Sequence, residues 1–260
     1  SRGLGDVYKR QELRIAKNHS YIRSFDAPSV ALPVPPDPYV SLLLHMDGTN
    51  GSTTFTDEVG HTVTPYGNAQ ISTAQSMFGG ASGYFDGTGD YLTIPNSPSF
   101  YFDGRDMTIE LWFNTTQTTS NATLITQEWG SSPYTGGWSI QLNGNSSGPL
   151  TIYWADYSNS SPFLVSSTSA YRDGQWHHLA WVKAGVNHYL YIDGVIVANN
   201  STSASFGSAT TNITIGNDLT YGSGARAFNG YIDEVRISLG IARYGTFAVP
   251  TEEYALGYLG

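Results

Sequence analysis

The chain contains no cysteine, which excludes disulfide bonds, thiolate zinc sites and a cysteine nucleophile. It is also poor in charge: only 13% of its 260 residues are charged, and 12 basic residues against 21 acidic ones leave a net charge of −9. A nucleic-acid partner would be repelled, and no basic stripe offsets this balance. The longest apolar run, YVSLLLHM at 39–46, is far shorter than a membrane span, so we expect no membrane insertion.

Glycine, serine, threonine, asparagine and tyrosine are abundant, as is typical of a β protein rich in turns. From Tyr39 onward, short runs with β propensity alternate with glycine and asparagine turns, and no long helical period occurs. Many short strands separated by such turns indicate an all-β protein with two antiparallel sheets, a sandwich or jelly roll. The pattern predicts strands at 39–46, 61–66, 69–73, 82–86, 90–94, 107–114, 122–128, 137–143, 149–155, 163–167, 176–183, 188–198, 211–216 and 228–238.

Both ends of the chain differ from this pattern. DVYKRQ at 6–11 matches the translation of a transposase adapter used in sequencing libraries, so we expect residues 1–11 to be an assembly artefact in a metagenomic sequence. Residues 12–38 form an N-terminal segment that ends in the proline-rich linker PVPPDP. We therefore place one domain at 39–254, followed by a C-terminal tail at 255–260.

Six segments, taken in their order along the chain, resemble the laminin-G-like, concanavalin A-like lectin/glucanase jelly-roll family. A further segment, GIARYGTFAVPTEEY at 240–254, is similar to the closing segment of such domains in tailed-phage virion and tail proteins. The six segments are LLLHMDGTNGSTTFTDEVG (42–60), FGGASGYFDGTGDYLTIP (78–95), MTIELWFNTT (107–116), WHHLAWVK (176–183), LYIDGVIV (190–197) and FNGYIDEVRIS (228–238).

This resemblance implies a fold of two antiparallel sheets packed face to face. Members of the family mostly bind glycans or proteins, often with calcium, and some are appended to enzymes. The phage-like closing segment implies a location outside the cell or on a virion surface. It also makes other virion proteins expected partners.

Two adjacent histidines stand between tryptophans in GQWHHLAWVK at 174–183. Because side chains alternate along a strand, His177 and His178 point in opposite directions and cannot hold one metal ion together. We expect His178 to be a core or hydrogen-bonded residue and His177 to lie at the rim.

Catalytic patterns are missing from the sequence. A jelly-roll glycosidase needs two carboxylates about 5–10 Å apart in one cleft. Glu110 stands alone in TIELWF, and alternation along IDEVR would turn Asp233 and Glu234 to opposite faces. There is no nucleophile elbow and no phosphate-binding loop. We therefore do not expect an enzyme.

A ligand surface is predicted where strands carry apolar side chains on one side and polar or aromatic ones on the other. The segments 107–114, 137–143, 149–155 and 188–193 have this pattern, and if they share a sheet, sugars would stack on their tyrosines and bond to their amides and carboxylates. Ordinary cross-strand packing on a solvated face is the alternative. The predicted ligand-binding residues are Glu110, Gln141, Tyr153, Tyr189 and Tyr191, joined by Trp129 and Tyr134 from the loop at 128–138.

Calcium is the expected cofactor, in a structural role. It takes six to eight oxygen ligands from carboxylates and carbonyls. In jelly rolls of this type the first and last strands lie together, so Asp47 and Asp233 would approach each other, and Asp57 would complete the site. The alternative is that Asp47 and Asp57 cap turns while Asp233 bonds to the main chain.

These inferences lead to three functional hypotheses. The first is a non-catalytic module that binds a cell-surface glycan or polysaccharide as part of a phage tail or virion-surface protein. The second is a structural, decoration or protein-interaction domain that binds no sugar. The third is a glycoside-active enzyme, which the missing carboxylate pair disfavours.

Overall fold

The computed structural model describes residues 36–102, 104–118, 121–127, 137–143, 149–155, 160–166, 171–202, 209, 211–221, 226–244 and 248–257. All of them belong to the compact unit Pro36–Gly260. The predicted artefact at 1–11 and most of the predicted linker at 12–38 lie outside the described residues.

Short strands separated by turns make up nearly all of the regular structure. Two 3₁₀ helices, Pro98–Phe100 and Leu219–Tyr221, interrupt them, and in the described part of the chain no helix has the length and apolar character needed to cross a lipid bilayer. The strands are β1 (Val40–Leu44), β2 (Thr64–Tyr66), β3 (Gln70–Ser72), β4 (Ser82–Asp86), β5 (Tyr91–Ile94), β6 (Met107–Asn114), β7 (Ala122–Gln127), β8 (Trp138–Leu142), β9 (Leu150–Ala155), β10 (Ser160–Val165), β11 (Trp176–Ala184), β12 (Asn187–Ile192), β13 (Val195–Ser201), β14 (Ile213–Ile215) and β15 (Asn229–Leu239).

The strands form two antiparallel sheets. The first sheet has the order β13-β12-β11-β6-β15-β4-β3, with β1 also paired to β15; the second has the order β10-β9-β8-β7-β14-β5-β2. Strand β15 lies against β6 on one edge, and on its other edge it pairs first with β4 and then with β1. The predicted all-β, two-sheet antiparallel jelly-roll sandwich is confirmed, and so is the predicted pairing of the first and last strands.

The core lies between the sheets, because alternation turns one apolar face of each sheet inward. Burying each large apolar side chain contributes about 1.5–3 kcal/mol before the entropy of ordering it is subtracted. Fully buried members include Leu111, Trp181, Leu190 and Ile237 from the first sheet and Trp138, Ile140, Ile152 and Ile215 from the second.

The segment predicted as one strand at 188–198 is a hairpin, so that prediction was wrong. Strand β12 ends at Ile192 and β13 begins at Val195. Between them, Asp193 and Gly194 have φ angles of 48° and 81°. Two positive φ angles in a two-residue connection are what a type I′ turn requires, and Asp-Gly is among its preferred pairs.

The predicted ligand surface required that 107–114, 137–143, 149–155 and 188–193 share one sheet, and this condition is not met. Strands β6 and β12 belong to the first sheet, whereas β8 and β9 belong to the second. Both sheets place one face on the same core, so both produce the same alternation of apolar and polar residues. The alternation therefore predicts which way a side chain faces, and it does not predict which sheet carries it.

Candidate functional site

The outer face of the first sheet is covered by the chain that follows β15. Glu110 on β6 points to this side and is fully buried. Its Oε1 accepts hydrogen bonds from Nε and Nη2 of Arg236, both at 2.7 Å, and its Oε2 accepts one from the hydroxyl of Tyr244. The prediction of Glu110 as a residue of an exposed sugar-binding face was wrong, because its carboxylate belongs to an internal ion pair.

The charge of Glu110 is fixed by its surroundings. Burial alone would raise its pKa, but the guanidinium of Arg236, aided by His178, outweighs this effect and lowers the pKa of Glu110 to about 2. The carboxyl group therefore stays ionised at neutral pH. It cannot serve as a proton donor there.

Tyr189 and Tyr191 of β12 also lie on this covered face. Tyr191 is buried and packs with Val182, while half-buried Tyr189 joins the same cluster together with Ala242 and Tyr244. The ring centroids of Tyr191 and Tyr244 are 6.4 Å apart. The predicted open platform is therefore wrong for Tyr191, whose ring forms a contact surface for the C-terminal segment.

The two adjacent histidines follow the predicted alternation. His178 is fully buried, and its Nε2 lies 2.8 Å from the hydroxyl of Tyr254, which confirms a hydrogen-bonded histidine. His177 points the other way and is half-buried, with Nδ1 2.7 Å from Asp193 and Nε2 3.1 Å from Asp173. Burial opposes the charged ring, but the two aspartates outweigh it and raise the pKa of His177. His177 thus joins two turns at the end of the strand.

A β-bulge in β15 turns both Asp233 and Glu234 to the outer side, contrary to the predicted opposite faces. The bulge lies between Asp233 and Arg236, and Glu234 has a φ of 50°. Oε1 of Glu234 is 2.7 Å from Nδ1 of His45, and Oε2 of Glu234 accepts a hydrogen bond from the N–H of Tyr254 at 2.9 Å. Glu234 therefore anchors the C-terminal segment.

Asp57, one of the three predicted calcium ligands, is engaged within the chain. Its Oδ1 accepts hydrogen bonds from the N–H groups of Leu43 and Val59 at 2.9 and 3.2 Å. Its Oδ2 lies 2.9 Å from the N–H and 2.7 Å from Nδ1 of His61. The carboxylate shapes the turn that follows β1, as the alternative to a calcium role predicted.

Asp233 and Asp47 each contact the loop at 77–79. Oδ2 of Asp233 accepts hydrogen bonds from the N–H groups of Met77 and Phe78 at 2.8 and 3.2 Å, and Asp47 lies against Gly79. Burial raises the pKa of Asp233 to about 7, although the two N–H groups favour its charged form. Among the described residues, no group of three or more His, Cys, Asp or Glu side chains is arranged to hold a metal ion. The predicted set of three aspartates is therefore not gathered into one site.

The outer face of the second sheet is different, because it is polar and almost without charge. We call it the hydroxyl face. Cross-strand pairing aligns its residues in two rows, and their hydroxyl and amide groups both donate and accept hydrogen bonds. One row is Thr93, Thr214, Thr126, Ser139 and Tyr153, and the next is Thr123, Gln141 and Thr151.

Most of the hydroxyl face is buried: apart from Thr93 and Tyr153, its residues are at most 1% exposed, and the segment after β14 forms part of the cover. Nε2 of Gln141 lies 3.3 Å from Oδ2 of Asp218, and Nη1 of Arg226 donates to Oε1 of Gln141 at 3.0 Å. The same guanidinium is 3.3 Å from Asp218. Gln141 faces outward as predicted, but the prediction of its exposure was wrong because these two side chains bury it completely.

Several buried polar atoms at this face or beside it have no hydrogen-bond partner among the described residues. Each such atom costs the folded state about 1–3 kcal/mol. Thr126 shows the contrast, since its Oγ1 donates to the carbonyl of Trp138 at 2.8 Å. The atoms without a partner are Oγ1 of Thr123, Oγ1 of Thr151, Oδ1 of Asn143, Nδ2 of Asn217 and Nε of Arg172.

Tyr153 remains half-buried at one end of the hydroxyl face. Its hydroxyl oxygen accepts a hydrogen bond from Nδ2 of Asn143 at 2.7 Å. The main-chain carbonyl of Asn143 in turn accepts one from Nη2 of Arg172 at 3.1 Å. We call Asn143, Tyr153 and Arg172 the polar corner.

A stacked pair of tyrosines at the opposite edge of the sheet was missed from the sequence. Tyr66 on β2 pairs with Tyr91 on β5, their ring centroids are 4.6 Å apart, and their planes differ by 10°. Tyr66 is 44% exposed, which makes its ring a surface on which a sugar could stack. Alternation in YLTI places Tyr91 outward, and only the pairing of two distant strands brings the second ring to it. The other predicted ligand residues, Trp129 and Tyr134, lie outside the described residues.

Comparison by sequence gives one family. The model described as "Concanavalin A-like lectin/glucanases superfamily" matches residues 86–240. No curated protein matches the chain.

Solved structures with a similar fold include a domain from a glycan-degrading enzyme and domains from toxins. Domain 4 of AbnA, a GH43 extracellular arabinanase from Geobacillus stearothermophilus in complex with arabinotriose, is 18% identical with a TM-score of 0.56, covering 78% of this chain and 94% of that one. The binding domain of Paraclostridial Mosquitocidal Protein 1 is 16% identical with a TM-score of 0.57, covering 77% and 48%. The binding domain of botulinum neurotoxin DC in complex with SialylT is 13% identical with a TM-score of 0.54, covering 84% and 49%. The chain thus spans about half the length of the two toxin chains, and the likeness is one of fold.

Proposed function

The chain belongs to the concanavalin A-like lectin/glucanase superfamily, and we propose that it is a non-catalytic module that binds carbohydrate through the hydroxyl face of its second sheet. The observation that carries this proposal is the set of buried hydroxyl and amide atoms at that face or beside it for which the described residues supply no partner. Folding alone gains nothing from the hydroxyls of Thr123 and Thr151, which have no partner among the described residues. A sugar that displaced the cover of this face would supply the missing donors and acceptors.

Sugar chemistry suits the rest of the face as well. Pyranose rings present C–H groups to aromatic rings, and Tyr153 and the Tyr66–Tyr91 pair offer such rings at its two ends. The one glutamate that the sequence placed on the sugar-binding face, Glu110, is held ionised in an ion pair on the other sheet and lacks the properties of a catalytic acid. These features support binding without turnover.

We place the module in an extracellular or virion-surface protein, such as a phage tail protein, where a cell-surface glycan or polysaccharide would be its ligand. The resemblance of residues 240–254 to phage closing segments supports this location. The competing function is a structural or protein-interaction domain, and the burial of Gln141 beneath Asp218 and Arg226 favours that alternative.

A glycan array probed with the whole chain, with and without calcium, tests the proposal. Thr151→Val removes a buried hydroxyl that has no partner among the described residues, so the melting temperature Tm should stay the same or rise. Glycan affinity should fall by about 1 kcal/mol or more. Thr126→Val is the matched control on the same face. Its hydroxyl bonds to a main-chain carbonyl, so this variant should lose stability.

The outcomes separate the three hypotheses. Saturable binding that Thr151→Val weakens supports the lectin function. Binding that Thr151→Val leaves unchanged would place the sugar elsewhere, and no binding at all would favour the structural domain. Release of sugar products would identify an enzyme.

A further inference from the structure

Arg172 is a buried cation that has no carboxylate partner among the described residues. Its side chain belongs to a residue only 8% exposed, and it donates from Nη1 to the carbonyl of Gln117 at 2.8 Å and from Nη2 to that of Asn143 at 3.1 Å. Its Nε has no hydrogen-bond partner within the described ranges. The next residue, Asp173, bonds to His177 and to the N–H of Gln175 instead. Among the described residues, two neutral carbonyls are therefore all that offset the charge of Arg172.

The other partly buried arginines in the described ranges are paired differently. Each has a carboxylate oxygen within 2.6–3.3 Å: Arg226 with Asp218, Arg236 with Glu110 and Arg243 with Asp37. Removing a charge from water costs several kcal/mol unless a partner compensates it. The chain has 21 acidic residues for 12 basic ones, so a shortage of carboxylates does not explain the exception.

Arg172 also lies where the proposed ligand would bind. It contacts Asn143, whose side chain bonds to Tyr153 and whose buried Oδ1 has no partner in the described part of the chain. As far as the described residues go, the polar corner thus combines a guanidinium without a carboxylate partner with an acceptor without a donor. A carboxylate with a neighbouring hydroxyl group matches both, because the carboxylate accepts from Arg172 and the hydroxyl donates to Asn143.

From this geometry we infer that the module recognises an acidic sugar, whose carboxylate binds Arg172 and whose adjacent hydroxyl donates to Oδ1 of Asn143. This inference rests on the proposed function and names its ligand class. The net charge of −9 acts against a densely charged polymer, since like charges repel over about one Debye length, roughly 8 Å at physiological salt. A single uronic or sialic acid residue within an otherwise neutral glycan supplies the carboxylate for Arg172 and keeps the charge density of the ligand low.

Calorimetric titration of the whole chain tests this inference. The probes are the methyl glycosides of glucuronic, galacturonic and N-acetylneuraminic acid, each compared with its methyl ester, which keeps the sugar and removes the charge. We expect at least one acid to bind about tenfold or more tightly than its ester. Arg172→Gln should abolish this preference, and Arg172→Lys should restore part of it.

Arg105→Gln is the matched control, because Arg105 is an exposed arginine whose guanidinium donates to the carbonyl of Tyr101; the acid preference should survive in it. If Arg172→Gln fails to fold, the inference is tested on the native chain instead. Its Tm should then rise more with the acid than with the methyl ester. Equal binding of acid and ester, or array binding restricted to neutral glycans, would overturn the inference and leave the proposed function standing. Binding of no glycan at all would overturn both.

Discussion

Replacing Glu110 by glutamine tests whether an ion pair holds the C-terminal segment on the first sheet. The change keeps the shape of the side chain but leaves the guanidinium of Arg236 without its carboxylate and Tyr244 without a charged acceptor. Arg236 also lies over the ring of Tyr254, with 4.0 Å between its guanidinium carbon and the ring centroid. Residues 241–257 should therefore loosen before the sandwich itself unfolds.

The size of the effect follows from the pKa of Glu110. Each pKa unit corresponds to about 1.4 kcal/mol. Lowering the pKa from 4.5 to about 2 therefore stabilises the native state by about 3 kcal/mol at neutral pH. Removal of one partner from other buried ion pairs costs a comparable 3–5 kcal/mol. Because the folded state has the lower pKa, this stability is present above pH 4.5 and is lost as the pH falls towards 2.

Urea unfolding of the native chain and of Glu110→Gln should show the largest difference near about pH 7 and a shrinking one towards about pH 3. Limited proteolysis should cut residues 241–257 faster in the variant. Glu252→Gln, at an exposed glutamate, is the control and should match the native chain at every pH. Equal stability of Glu110→Gln and the native chain at neutral pH, or a difference that does not change with pH, would refute the role of the ion pair.

Two further predictions concern the second sheet and the aspartates. Ile152→Ala should lower the free energy of unfolding by about 2–5 kcal/mol. Tyr153→Phe, one residue along, should lower it by about 1 kcal/mol or less. The reverse order in urea unfolding would mean that the two faces of the strand are inverted. For calcium, the sequence predicts that chelation lowers Tm and that Asp233→Ala removes this sensitivity, so equal melting in calcium and in chelator would contradict calcium binding. Asp57→Ala should lower Tm equally in both conditions, because its carboxylate binds the chain itself.

The direction in which each side chain faces could be predicted from the sequence. Ile152 is in the core with Tyr153 turned outward, and Trp181 is in the core with His178 on the other side. Alternation is a property of the extended backbone and needs no knowledge of distant residues. Where the backbone departs from it, the prediction failed. The bulge at Glu234 placed two successive carboxylates on one side, and the positive φ angles at Asp193 and Gly194 divided one predicted strand.

The candidate site could be predicted only in part, because it depends on which strands become neighbours. Gln141 and Tyr153 were assigned together with Glu110 and Tyr191, since all four alternate in the same way with core residues. Pairing then divides them between two sheets on opposite sides of the core. The Tyr66–Tyr91 stack depends on the pairing of β2 with β5, which local patterns do not reveal.

The two outer faces also differ in a way that favours the second as the proposed ligand surface. The first carries charges, and an unpaired buried ion would cost several kcal/mol, so the chain supplies its own partners, as in Glu110 with Arg236. The hydroxyl face is almost neutral, and an unpaired buried hydroxyl costs only about 1–3 kcal/mol, which a folded domain tolerates until a ligand completes the hydrogen bond. Arg172 breaks this rule, because it brings a charge to the edge of the neutral face with carbonyls as its only partners in the described part of the chain. A cation kept at that cost is best explained by an anionic group that reaches it from outside the chain.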